Sequence, residues 1–282
     1  MENIDKNDLL MLQKSKKKLS SIDLNCANLD EIDFSFGNLI STNFREASLK
    51  RANFTSAKLD SADFTKTDLS CANFSSAKLF KTIFFKAKLT DANFTESDLM
   101  GANLSNANLT SANLSRCSLV EANLIDSDLT KANLKEAKLV GRYTREGYFS
   151  RGANLTRCIL KSADLTSADC HGADLADTNF REANLSNANL IETDLRRANL
   201  SGSNLTGANL SEANLRKSIL EGANFKDAIL SETKLTGVDL RNVTNLSPEE
   251  VTMAIIDEKT KVPEYLEIIW ISDDAHECKA RP

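Results

Sequence analysis

The chain has 282 residues, of which 41% are hydrophobic but only 6% aromatic, with 10 Gly and 3 Pro. An apolar complement made mostly of Leu and Ala, with so little Pro to punctuate loops, does not suit a sandwich or a doubly wound α/β core. Charge is spread unevenly: five Lys stand against three acids in residues 1–20, 26 bases against 28 acids over 21–244, and four bases against nine acids over 245–282. A nearly neutral central stretch argues against strong nonspecific binding of nucleic acid.

In chain order, residues 1–20 contain no apolar stretch of secretory type, and no run approaches the roughly 20 apolar residues needed to span a membrane. The six Cys (Cys26, Cys71, Cys117, Cys158, Cys170 and Cys278) show no CxxC spacing. A cytoplasmic protein with free thiols is expected. Residues 5–18 read as a short helix, with Leu9, Leu10 and Leu12 apolar and Lys14, Lys16, Lys17 and Lys18 at its C-terminal end, where the helix dipole favours cations. Residues 1–20 are expected to cap the domain that follows. The same lysines would also suit an anionic surface.

From residue 21 the pattern changes. Leu or Phe recurs every five residues from Leu24 to Leu139, and again from Leu155 to Leu240 with Cys170 as the one exception. Two residues earlier stands a small side chain, most often Ala, and between them mostly Asn or Asp, as in Ala102-Asn103-Leu104 and Ala163-Asp164-Leu165. A helix repeats every 3.6 residues and a flat strand every 2. A five-residue period needs a chain that turns a corner in every repeat. The small and bulky residues then point inward and the other three outward. Four such sides close a square coil, and stacked coils pair like parallel strands about 4.8 Å apart. Roughly ten coils make a rod on the order of 50 Å long. Phe34, Phe54, Phe74 and Phe94 are 20 residues apart, as are Phe44, Phe64 and Phe84. They should form two stacked ladders on opposite sides of the shaft, where they are core.

The spacing from Leu139 to Leu155 is 16 residues, where 15 would keep the register. One extra residue, Gly152, is expected to form a bulge within the interruption at 140–152, with Phe149 still inward. Arg142, Tyr143, Arg145, Tyr148 and Arg151 would then protrude as a basic and aromatic segment of the kind enriched at interfaces. Repeat decay tolerated at one corner is the plainer alternative.

After 244, Ser247-Pro248-Glu249-Glu250 reads as a helix start, with Ser as N-cap, Pro in the first turn and Glu at the capping-box place. The helix should run to about Asp257. Residues 245–271 are expected to cap the rod, with Met253, Ile255, Ile256, Leu266, Ile268, Ile269 and Trp270 as apolar cover or, in part, as a dimer contact. The polar tail 272–282 is expected to be mobile.

The outer faces carry two patterns. Residues following the Leu on one side, taken 20 apart, are Ile40, Asp60, Phe80, Met100, Val120 and Val140, an apolar stripe broken by Asp60. Ile83 and Phe85 adjoin it. Contiguous apolar surface of this kind marks an interface. Arg157, Arg196, Arg197, Arg216 and Lys217 form a second, basic patch. The two His, His171 and His276, lack a second ligand at metal-binding spacing, and no nucleophile, phosphate or dinucleotide motif occurs. A convex rod offers no cleft in which to dehydrate its acids, so neither catalysis, a small-molecule substrate nor a cofactor is expected.

The A(N/D)LXX motif, sustained over four-fifths of the chain, resembles the pentapeptide-repeat family, abundant in cyanobacteria. That resemblance implies an all-β fold, a right-handed, four-sided parallel β-helix, here with short capping helices at both ends. The functional expectation is a non-enzymatic scaffold or regulator that binds another protein or itself through Ile40, Phe80, Met100, Val120, Val140, Arg142, Tyr143, Arg145 and Tyr148. The alternative is mimicry of duplex DNA toward gyrase or topoisomerase, as in the family's quinolone-resistance members. A mimic should be acidic along its length, which residues 21–244 are not.

Overall fold

In a computed structural model, residues 19–141, 152–272 and 275–281 are described. The N-terminal helix expected over 5–18 and its lysines lie outside them, as do Arg142, Tyr143, Arg145, Tyr148, Phe149 and Arg151.

From Leu19 onward the chain winds as a right-handed quadrilateral β-helix. Each side is held by one short parallel rung per coil, so that Asn53 pairs with Asn73, Asn73 with Asn93 and Asn93 with Asn113. The bonding repeats from coil to coil: Leu104 N donates to Asn123 O at 2.7 Å, and Asn123 N donates to Ala102 O at 2.9 Å. Between sides the chain bends in the pattern of a type II turn: the Leu or Phe carbonyl accepts from the N–H three residues on, as in Ala107 N to Leu104 O at 3.1 Å. The second central residue of these turns has positive φ, at 59° in Asn106, Asn242 in the last turn being an exception, and few of them are Gly. A left-handed conformation costs a non-glycine residue about 1 kcal/mol. Most corners offset it by bonding to the next coil, as Asn106 N does to Ile125 O at 2.9 Å.

The interior is a shaft of fully buried Leu and Phe flanked by buried Ala. The two Phe ladders stack as expected, Phe54 on Phe74 at 4.8 Å and Phe44 on Phe64 at 4.7 Å between ring centroids. Across the shaft they meet edge to face, Phe64 to Phe74 at 5.8 Å. Where Thr replaces Ala at the small position its hydroxyl donates inward, Thr67 to Phe44 O at 2.6 Å and Thr82 to Leu59 O at 2.9 Å. Cys158 does the same toward Leu124 O at 2.8 Å. Burial raises the thiols of Cys158 and Cys170 to about 12, so both stay protonated packing residues.

The interruption differs from expectation. Through the repeats neighbouring rungs are 20 residues apart, stretching to 21 and 22 only where the cap joins (Lys234 with Ile255, Asp239 with Lys261), but Asn123 pairs with Asn154 and Lys138 with Asp169, 31 apart. Leu155 therefore follows Leu139 directly in the shaft, and the intervening chain is an excursion rather than three repeats with one bulged residue. A spacing of 16 is met equally by three repeats plus one residue and by one repeat plus eleven. The excursion leaves at Val140–Gly141 and returns at Gly152, closed by Ala153 N to Leu139 O at 2.7 Å. A Cβ at Gly152 would stand 2.7 Å from the Leu139 carbonyl and 2.9 Å from Ala173 Cα. Glycine is needed there for that close approach.

At the far end, helix α1 (Pro248–Met253) starts on a complete capping box between Ser247 and Glu250. It ends earlier than the expected Asp257, because Ala254 turns extended and Ile255 N joins the coil through Thr233 O at 2.8 Å. Val251, Ile256 and Leu266 are buried over the last rungs, whereas Met253 and Ile255 face outward. The expectation of a mobile tail at 272–282 is corrected. Strands β1 (Leu266–Ser272) and β2 (Ala275–Ala280) form an antiparallel hairpin. Pairing satisfies the β2 backbone and buries Cys278.

Candidate interaction surface

The four sides are named here for the residues at their core, the first for Leu24, the second for Leu29, the third for Phe34 and the fourth for Leu39. Ile40, Asp60, Phe80, Met100, Val120 and Val140 follow the core residues of the fourth side. They form one column at the corner leading back to the first side, and each is half-buried. The turn geometry stacks them one coil apart, and Ser61 N to Phe80 O at 2.9 Å and Gly101 N to Val120 O at 2.9 Å tie successive members into register. Asp60 breaks the column chemically but serves it structurally, since its Oδ1 accepts the Phe80 N–H at 3.2 Å. Past the excursion the column continues as His171 and Ile191, a continuation concealed from the sequence by the misjudged step across 141–151.

The column widens at one coil. Phe80, Ile83 and Phe85 lie there around a single turn onto the first side, all half-buried. Lys81 Nζ sits 5.2 Å from the centre of the Phe80 ring and Lys86 Nζ 5.1 Å from that of Phe85, a cation–π arrangement at both rims. Lys58 and Lys78, at mid-side on the fourth side, form no ion pair with another described residue. The chain leaves the coil at Val140–Gly141, at the same corner, and Arg142, Tyr143, Arg145 and Tyr148 lie outside the described residues.

Three of the five cations of the basic patch are held in ion pairs. Arg157 is bound to Asp126 at 2.7 Å, Arg197 to Asp177 at 2.5 Å and Arg196 to Asp194 at 2.5 Å. These hydrogen bonds hold the carboxyls of Asp126 and Asp177 below the usual carboxylate range. Arg216 donates to Thr236 Oγ1 at 2.8 Å. Arg197 and Asp177 thus neutralise each other at the 20-residue spacing of the sequence, Arg157 and Asp126 do so across the excursion, and Arg196 pairs with Asp194 within its own turn.

The third side carries a contrasting ladder. Asn73, Asn93 and Asn113 each accept the backbone N–H two residues on, Thr95 N to Asn93 Oδ1 at 3.1 Å for example, and Asn93 Nδ2 donates to Asn73 Oδ1 at 3.1 Å. Its polar groups are largely turned on one another.

Among the described residues no cluster of three or more His, Cys, Asp or Glu is arranged to hold a metal ion. No helix among them is long and apolar enough to cross a membrane. His171 faces Glu192 at 3.5 Å, and His276 Nε2 lies 3.0 Å from Val251 O.

A repetitive right-handed β-helix with this turn and this shaft defines a class, and the sequence comparison agrees with it. Eight copies of the pentapeptide-repeat pattern match, together covering residues 18–141 and 151–244. The chain belongs to the pentapeptide-repeat family. Among solved structures it is similar to HetL from the cyanobacterium Nostoc sp. strain PCC 7120, a pentapeptide-repeat protein involved in regulating heterocyst differentiation. The two are 30% identical over 83% of this chain and 96% of HetL, with a TM-score of 0.63. Rfr23 from the cyanobacterium Cyanothece 51142 is 31% identical over 50% of this chain and 90% of its own, with a TM-score of 0.25. A trypsin-treated form of QnrB1, a plasmid-mediated fluoroquinolone resistance protein, is 19% identical over 72% of this chain and 90% of its own, with a TM-score of 0.43. No curated protein sequence matches the chain.

Proposed function

We propose that the protein is a non-catalytic scaffold or regulator that binds another protein along the fourth-side corner. The apolar column from Ile40 to Val140, broadened by Ile83 and Phe85, carries this reading. The rim around it is basic through Lys58, Lys78, Lys81 and Lys86, so the matching partner surface is apolar at its centre and acidic at its edge. The excursion after Val140 extends the contact through Arg142, Tyr143, Arg145 and Tyr148. HetL's involvement in regulating differentiation supports a regulatory role for a rod of this length and sequence. A duplex-DNA mimic needs a continuous acidic face, and the lysines along this corner argue for the protein-contact reading instead.

The test is capture of partners from an extract of the source organism with the native chain and with a Phe80→Ser/Met100→Ser variant. A protein retained by the native chain should be lost from the variant while the circular dichroism spectrum is unchanged. Equal retention by both removes the column from the function.

A further inference from the structure

The two edges of the C-terminal hairpin are treated differently. The β2 edge is covered: Cys278 N donates to Thr252 Oγ1 at 3.0 Å, and His276 meets Val251 O, both on α1. The β1 edge is bare among the described residues. Arg281 N donates to Tyr265 O at 2.8 Å, which with the pairing of Leu266 to Ala280 fixes the alternation along the strand. Tyr265, Glu267 and Ile269 direct their backbone groups to β2, whereas Ile268 and Trp270 direct N–H and C=O outward. No described residue bonds to these outward groups. Ile269 is 39% exposed, Trp270 38% and Ile271 64%. Strand β1 contains no Pro and no Lys, and its one charge is Glu267. Those are the devices by which exposed edges are ordinarily kept from pairing.

We propose that β1 pairs antiparallel with β1 of a second copy of this chain, about a two-fold axis at Ile269, to make a four-stranded sheet. That register brings Ile268 opposite the second copy's Trp270. Both residues have outward backbone groups, so each pair exchanges two hydrogen bonds, and symmetry repeats the exchange. Ile269 meets its own counterpart at the axis, and Glu267 lies toward the second copy's irregular step at Ile271, so no charge opposes its like across the seam. Apolar surface left on β1 is on the order of a few hundred Å² per copy, below the roughly 800 Å² per partner of stable complexes. The dimer is therefore weak and concentration-dependent. Residues 245–282 carry nine acids against four bases, so the two caps repel and added salt strengthens the association. A basic peptide or the Lys-rich N-terminus of another copy on the same edge would show the reverse salt dependence.

The contact is independent of the fourth-side column and is tested apart from it. Trp270 is the one Trp in the chain, so its fluorescence reports on the seam. Sedimentation of the full chain from about 1 µM to about 500 µM should show the mass doubling, with the Trp emission shifting to the blue over the same range. Higher salt should move the transition to lower concentration. An Ile269→Lys variant should remain monomeric throughout with an unchanged circular dichroism spectrum, while Phe80→Ser/Met100→Ser should dimerise like the native chain. Four results each overturn the proposal: a native chain that stays monomeric, a dimer that survives Ile269→Lys, a doubling of mass with unchanged Trp emission, or a dimer dispersed by salt.

Discussion

The third side and the fourth-side corner belong to the same coils and rest on the same shaft, yet they use their side chains in opposite ways. On the third side Asn93 ties its own turn and reaches back to Asn73, so the polar groups are spent on holding the rod together. At the fourth-side corner Phe80, Met100 and Val120 instead present half-buried apolar side chains. Backbone bonds such as Gly101 N to Val120 O fix that corner whatever the side chain is. The backbone completes the third-side corner in the same way, Glu96 N to Ser115 O at 3.0 Å, so the two regions differ in the chemistry of their outward side chains and not in how their turns are held.

The largest expected effect concerns the shaft that both regions share. Leu104→Asp puts a charge in a fully buried position and should abolish cooperative folding, whereas Asn106→Asp, at an outward corner, should shift the thermal midpoint little. Equal tolerance at both places, read by circular dichroism, would remove the basis of the comparison.

Asn93→Ala separates the regions themselves. It removes the side-chain acceptor of the Thr95 N–H and the side-chain donor to Asn73 Oδ1 and should cost about 1–2 kcal/mol in urea unfolding. Partner capture should be unaffected. A stability change under about 0.3 kcal/mol would show that the ladder is decoration.

Acid should weaken the bonded carboxylates and spare the apolar column. Asp33 is held below the usual range by the Ser35 N–H, and Asp239 is lowered to about 2 by the Arg241 guanidinium. A depressed folded pKa contributes stability that is present above the unfolded value of about 4 and is lost as pH falls toward the folded one. The thermal midpoint should be level from neutral pH to about 5 and then decline between about 4 and 2. Each pair is solvent-exposed and contributes little by itself, so the decline is the sum of many. A midpoint independent of pH over that window would contradict the role given to these bonds.

The smallest effect is chemical. Cys26 and Cys71 are exposed, while Cys117, Cys158 and Cys170 lie in the shaft and Cys278 under the hairpin. Thiol labelling of the native protein should modify the first two promptly and the other four only on unfolding. Prompt reaction at Cys158 would mean that the shaft opens.

The shaft was legible because one Leu or Phe every five residues leaves no helical or flat-strand alternative. The Phe ladders followed from their spacing of 20. The length of the excursion was not legible, since spacing alone cannot distinguish three repeats and a bulge from one repeat and a long loop. The hairpin escaped notice because β2, Ala-His-Glu-Cys-Lys-Ala, has little strand character of its own and is ordered by pairing with β1. The column at Ile40–Val140 was visible in sequence. Its basic rim was not singled out, because Lys81 and Lys86 become neighbours of Phe80 and Phe85 only once the corners are folded.

The most direct measurement is a matched capture experiment with Phe80→Ser/Met100→Ser beside Asn93→Ala, each also followed through thermal unfolding. The account predicts that the first variant loses the bound protein and keeps its midpoint, while the second keeps the bound protein and unfolds earlier. Retention of the partner by the first variant, or its loss from the second at a temperature where that variant is still folded, would contradict it.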